Sequence, residues 1–189
     1  MERISAKKYP VMRRFLHWLV ALLLTVLFIT GFIRKYWMNK GVLATTISEG
    51  SHNAVSQSQA TDIARTIISP MWEWHIYAAY AMFVAVALRF IYLAFTRKVN
   101  FPNPFAKNLS LKCRLQGVVY LFFYLLLLLS TISGIALKWG AKDMQPIMKT
   151  IHLWAIYWVP IFIFLHFVGI YLEERGKDKG IASKMIAGD

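Results

Sequence analysis

The sequence predicts an all-α integral membrane four-helix bundle with both termini cytoplasmic, and three observations predict it. Of the 189 residues, 58% are hydrophobic and 15% aromatic, with a mean hydropathy of +0.48, which is too apolar for an ordinary soluble domain of this length. Four apolar runs, 15–33, 76–95, 118–137 and 151–172, each hold close to the roughly 20 residues that carry a helix across about 30 Å of hydrocarbon. Arg89 is the one Lys, Arg, Asp or Glu inside them. The basic residues are also unevenly placed: segments 1–14, 97–114 and 175–189 hold 5, 5 and 4 Lys or Arg, against 4 and 3 in 34–74 and 138–150. That bias puts the first set in the cytoplasm. The net charge of +13 needs no nucleic acid, because the basic residues flank spans and form no continuous patch.

The elements follow in order as a single transmembrane domain, 1–189. The first span follows MERISAKKYPVMRR and resembles a signal sequence only in its charged start; its apolar run is long and leads into RKYW without a small-residue cleavage site, so it is expected to be retained. The outer loop 34–74 is the longest polar segment. In it Ser56 and Gln59 have capping-box spacing, which predicts a short helix to Ile68 ahead of Pro70. The inner loop TRKVNFPNPFAKNLSLKCR, with two prolines and five basic residues, reads as a stiff connector facing lipid headgroups. The outer loop KWGAKDMQP is short and makes the last two spans antiparallel neighbours. The tail EERGKDKGIASKMIAGD has a modestly amphipathic end that is expected to lie on the membrane surface. Cys113 is the single cysteine, so there is no disulfide within the chain and no C-x-x-C-H haem-attachment motif.

The histidines can then be placed by depth. His17 is the third residue of a span entered from inside and lies near the cytoplasmic surface. His75 precedes a span entered from outside and lies near the outer surface. The fourth span also enters from outside, so His152 shares the outer level and His166 sits about 21 Å deeper at 1.5 Å per residue. Fourteen residues is just under four turns, which points His152 and His166 from nearly one face. Two imidazoles therefore meet at each depth. Zinc wants three or four protein ligands, and no Cys, Asp or Glu in the apolar runs completes such a set. Haem leaves only two axial positions for the protein, which suits paired histidines on facing helices. Two non-covalent haems b are expected, His75 opposite His152 and His17 opposite His166 holding the irons. His52 has no partner and reads as solvated. The clusters WEWH and HLWAIYW serve equally as interfacial belts or as haem walls.

Arg89 lies fourteen residues beyond His75, on the same face and at the inner level. A haem propionate there would accept a bidentate pair from its guanidinium; snorkelling to the cytoplasm and a lipid phosphate are the alternatives.

RRFLHW in the first span, WHIYAAYAMFVAVALRFIYLAF in the second, IHLWAIYWVPIFIFLHFVGIYLEE in the fourth and the ending GIASKMIAGD together resemble the bacterial cytochromes b that serve nickel-iron hydrogenases and related quinone-linked respiratory enzymes. The resemblance covers nearly the whole chain. It implies b-type haem, ligands at His17, His75, His152 and His166, exchange of electrons with membrane quinone, and a bacterial inner membrane. The short loop between the third and fourth spans departs from hydrogenase cytochromes, which often have more there.

The leading functional expectation is an electron-transfer subunit rather than a stand-alone enzyme: a periplasmic redox protein or hydrogenase-like subunit docks outside, and electrons pass between it and the quinone pool. The alternative is a self-sufficient quinone-linked oxidoreductase acting on a small substrate such as superoxide. A third class is an anchor or transporter whose histidines relay protons. No catalytic residue is assigned, and homodimerisation stays open.

Overall fold

The computed structural model describes residues 9–96, 105, 110–176 and 180–188, apart from the side chains of Thr96 and Lys112. Most of the inner loop 97–109 lies outside the described residues. Of the described residues 87% are helical and none lies in a strand; they form seven α-helices: α1 (Val11–Tyr36), α2 (Lys40–Gly50), α3 (Gln57–Thr96), α4 (Leu111–Trp139), α5 (Gln145–Leu153), α6 (Ala155–Glu174) and α7 (Ile181–Ile186). Four stretches are long and apolar enough to cross a membrane: Val11–Tyr36, Gln57–Phe95, Cys113–Trp139 and Lys142–Glu174. Two compact units divide the chain, one of Met1–Leu19 with Ala85–Asp189 and one of Val20–Val84.

In the second unit, the C-terminal half of α1 satisfies its hydroxyls on its own backbone. Thr25 donates to the Ala21 carbonyl at 2.9 Å and Thr30 to that of Val26 at 2.7 Å, as hydrocarbon demands of any polar group within it. Arg34 and Lys35 close α1 where its dipole favours cations. Beyond it, Asn39 caps α2 by accepting from the Gly41 N–H. Ala44 of α2 meets Ala60 and Ala64 of α3, all buried, with Leu43, Ile47 and Val55 packed around them; side chains this small let the two helices approach closely. The capping box forms in both directions: the Ser56 N–H donates to Gln59 Oε1 at 3.1 Å, and the Gln59 N–H to Ser56 Oγ at 3.4 Å.

One expectation is corrected here. The helix begun at this box does not stop at Pro70 but runs on through it as α3, 40 residues long. Pro70 lacks the N–H that Thr66 would have accepted from. The Ser69 hydroxyl donates to that carbonyl instead, at 3.0 Å, and so satisfies the group that would otherwise favour a break.

In the first unit, Ser110 caps α4 by accepting from the Cys113 N–H. α4 packs against α5 and α6. The fourth span also differs from expectation: it starts earlier, with Pro146 in the first turn of α5, and it is not one regular helix. At Trp154 the bonds tighten to three-residue spacing, Trp154 N–H to Ile151 and Tyr157 N–H to Trp154, a 3₁₀ step that divides α5 from α6. Pro160 follows within α6 and cannot donate to Ile156. His152 on α5 and His166 on α6 therefore stand on either side of this one-residue step.

The tail makes a defined contact. α7 is flanked by Gly180 and Gly188, both with positive φ, and it ends with the Ala187 and Gly188 N–H groups on the Ser183 carbonyl, a left-handed glycine termination. Its last carbonyls accept from α1: Trp18 Nε1 donates to Met185 O and Arg14 Nη1 to Ile186 O, both at 3.2 Å. An amphipathic end lying only on lipid does not account for these two bonds.

Candidate haem-binding site

His17 and His166 are close neighbours in the first unit. α1 and α6 bring their ring centroids to 6.0 Å, with 41° between the planes. Two imidazoles held by one metal between them, each about 2 Å from it, have ring centres on the order of 6 Å apart, so the spacing fits shared axial ligation. Aromatic rings surround the pair. Trp18 stands edge-on to His17 at 5.6 Å, Phe162 stacks on His166 at 5.8 Å, and Phe123 stacks on Phe162 at 4.1 Å.

Arg89 belongs to the same cluster. It hydrogen-bonds Tyr124 and lies within electrostatic reach of His17 and Tyr120. Its Nε–H is buried with no acceptor among the described residues. Arg89 as a whole is half-buried, and an unsatisfied N–H buried at its Nε is costly. A carboxylate is the group that would relieve it.

His152, on α5, packs on α4. Its Nδ1 lies 2.9 Å from the Ser130 carbonyl and 3.3 Å from Ser133 Oγ. A carbonyl only accepts, so the proton must be on Nδ1, and Nε2 carries the lone pair. Gly134 makes room for this ring, since a Cβ there would come within 3.1 Å of His152 Cε1.

His75, in the second unit, is fixed in the same tautomer by other means. Its Nδ1 is 2.8 Å from Thr30 Oγ1. The Thr30 proton is already given to Val26 O, so the hydroxyl accepts from Nδ1–H and Nε2 again keeps its lone pair. Trp72 stacks flat on the imidazole, 5.0 Å away with 4° between planes, and the Arg34 guanidinium lies 5.2 Å over the Trp72 ring. His75 is 8% exposed. Orientation of a ligating histidine through its second nitrogen is the usual way a protein fixes a metal ligand.

Sequence reasoning missed Thr30, Ser130, Ser133 and Gly134. None carries a motif, and each acts through a histidine distant in the chain. His52 is exposed at a left-handed turn with φ 51° and takes no part. Among the described residues, no three His, Cys, Asp or Glu come together. A pair of histidines such as His17 and His166, with no third such donor beside it among the described residues, is a set suited to a tetrapyrrole that brings four ligands of its own.

Comparison with curated proteins and with solved structures gives no match. Comparison with protein families does: the family described as prokaryotic cytochrome b561 matches residues 8–188.

Proposed function

The chain belongs to the prokaryotic cytochrome b561 family, membrane b-type cytochromes that transfer electrons, and on that premise we propose that it passes electrons between a periplasmic redox partner and the quinone pool by way of two bis-histidine haems b. The observation that carries this reading is the 6.0 Å approach of His17 to His166. Haem b, when bound, supplies an iron that gains and loses one electron at a potential set by its axial ligands and surroundings.

The chain's own residues supply the rest. His17 and His166 would hold the inner haem, and His75 and His152 the outer one. Thr30 and the Ser130 carbonyl hold protons on Nδ1 of the outer pair and keep Nε2 basic. Arg89 would take an inner propionate, with Tyr124 orienting its guanidinium. Phe123, Phe162 and Trp18 exclude water around the inner pair and so keep the local dielectric low. The bacterial inner membrane, with 1–14 and 175–189 in the cytoplasm, is the setting this reading requires.

Reduction by quinol tests it. Purified protein in mild detergent, mixed anaerobically with a short-chain quinol, should develop the α and Soret bands of reduced b-type haem. Bands that form with dithionite but never with quinol would remove quinone from the proposal.

The supporting residues give a second expected result. Thr30→Val deletes the acceptor of the His75 proton, and Gly134→Ala drives a methyl against His152. Loss of a group that orients a ligand typically costs 10- to 100-fold in affinity, so each variant should release the outer haem on dilution on the order of 10-fold more readily and leave the inner one in place. Equal loss of both haems in either variant would contradict the assignment.

A further inference from the structure

α7 links the helix of His17 to the helix of His166. At its start, the Gly180 and Ala182 N–H groups each donate to the Glu174 carboxylate at 2.8 Å, and Glu174 is the last residue of α6, eight beyond His166. At its end, the Met185 and Ile186 carbonyls accept from Trp18 and Arg14, which flank His17 on α1 at one residue after and three before.

The glycines make this docking specific. Gly188 has φ +89°, where any side chain is strained in backbone, and a Cβ there would stand 2.7 Å from Arg14 Nη1, so that the guanidinium would have to shift from its place on α7. Gly180, at φ +85°, turns the chain so that two N–H groups face one carboxylate. A cation at the carbonyl end of α7 and an anion at its N–H end both match its dipole.

We propose that α7 is a clip that sets the separation and tilt of His17 and His166, with Glu174, Trp18 and Arg14 as positioning residues. The inference rests on the reading of these two histidines as the inner haem ligands. It adds to that reading a part for the last nine described residues of the chain. Axial ligand geometry tunes a haem, so a released clip changes the inner haem's spectrum and potential even where the haem stays bound.

The test uses the full-length haem-loaded protein and three variants. Glu174→Ala removes the acceptor at one end of the clip. Trp18→Phe removes a donor at the other end while keeping the ring beside His17. Glu174→Gln keeps an acceptor oxygen and serves as the rescue. Hydrogen–deuterium exchange reads whether residues 180–188 are docked, and low-temperature EPR with redox titration reads each low-spin haem, the outer haem being the internal control.

Glu174→Ala and Trp18→Phe should speed amide exchange in 180–188 on the order of 10-fold. Both should shift the inner haem's g-values and potential and leave the outer haem unchanged, with Glu174→Gln returning towards wild type. Unchanged exchange in both variants, or faster exchange with an unchanged inner haem, overturns the clip. His17→Ala in the same series separates the two claims: if it fails to abolish the signal assigned to the inner haem, the ligand reading itself has failed. If it abolishes that signal while the clip variants leave it untouched, the clip alone has failed.

Discussion

His17→Ala and His166→Ala should each abolish one of two haem b signals and spare the other, while His75→Ala and His152→Ala should abolish the second and spare the first. The expected loss is a whole haem per chain, because no third His, Cys, Asp or Glu joins these histidines among the described residues to replace a lost axial nitrogen. For the inner pair, the side chains nearest to hand are Trp18, Phe162 and Phe167, none of which ligates iron. His75 meets the Thr30 hydroxyl and the Trp72 indole, and His152 meets the Ser130 carbonyl and the Ser133 hydroxyl, none of which is a haem ligand. Optical spectra with quantified haem would show it. A folded single variant that lost both haems would break the division into two sites.

Arg89→Gln should lower the reduction potential of the inner haem and hardly alter the outer one. The sign follows from charge: reduction adds an electron, so a fixed cation nearby favours the reduced state, and its removal makes reduction harder. At an effective dielectric near 20 a single buried charge at this range is worth a kcal/mol or two, on the order of 50 to 100 mV for a one-electron couple. The Tyr124 hydroxyl remains, and the glutamine amide retains some capacity to donate, so the proposed propionate contact would be weakened rather than lost. An inner potential left where it was, at full haem occupancy, would show that Arg89 has no part in holding or tuning the haem.

The four spans were legible in the sequence because hydrocarbon imposes a length on helices and a cost on charge. Both rules act along the chain without knowledge of tertiary contacts. The Ser56–Gln59 box was legible for a similar reason, since its two bonds close within four residues. The partners that orient the outer histidines were not. Thr30 bonds His75 across 45 positions, and Ser130 bonds His152 across 22; only the packing of helices makes such pairs. The carry-through at Pro70 depends on a Ser69 rotamer, and the break at Trp154 on a helix tightening ahead of Pro160, so both lie below what residue periodicity can resolve. The docking of α7 was hidden for the opposite reason. A polar, glycine-flanked tail looks like a surface segment until Trp18 and Arg14 are seen to reach its carbonyls.

Haem stoichiometry tests the central claim most directly. The claim is that two histidine pairs hold two non-covalent haems b in one chain. Acid–acetone extraction followed by a pyridine haemochrome assay, set against protein quantified by amino-acid analysis, measures it. The account predicts two haems b per chain, all extractable. One haem per chain would remove one of the pairs, and haem retained by the protein after extraction would contradict the b-type assignment.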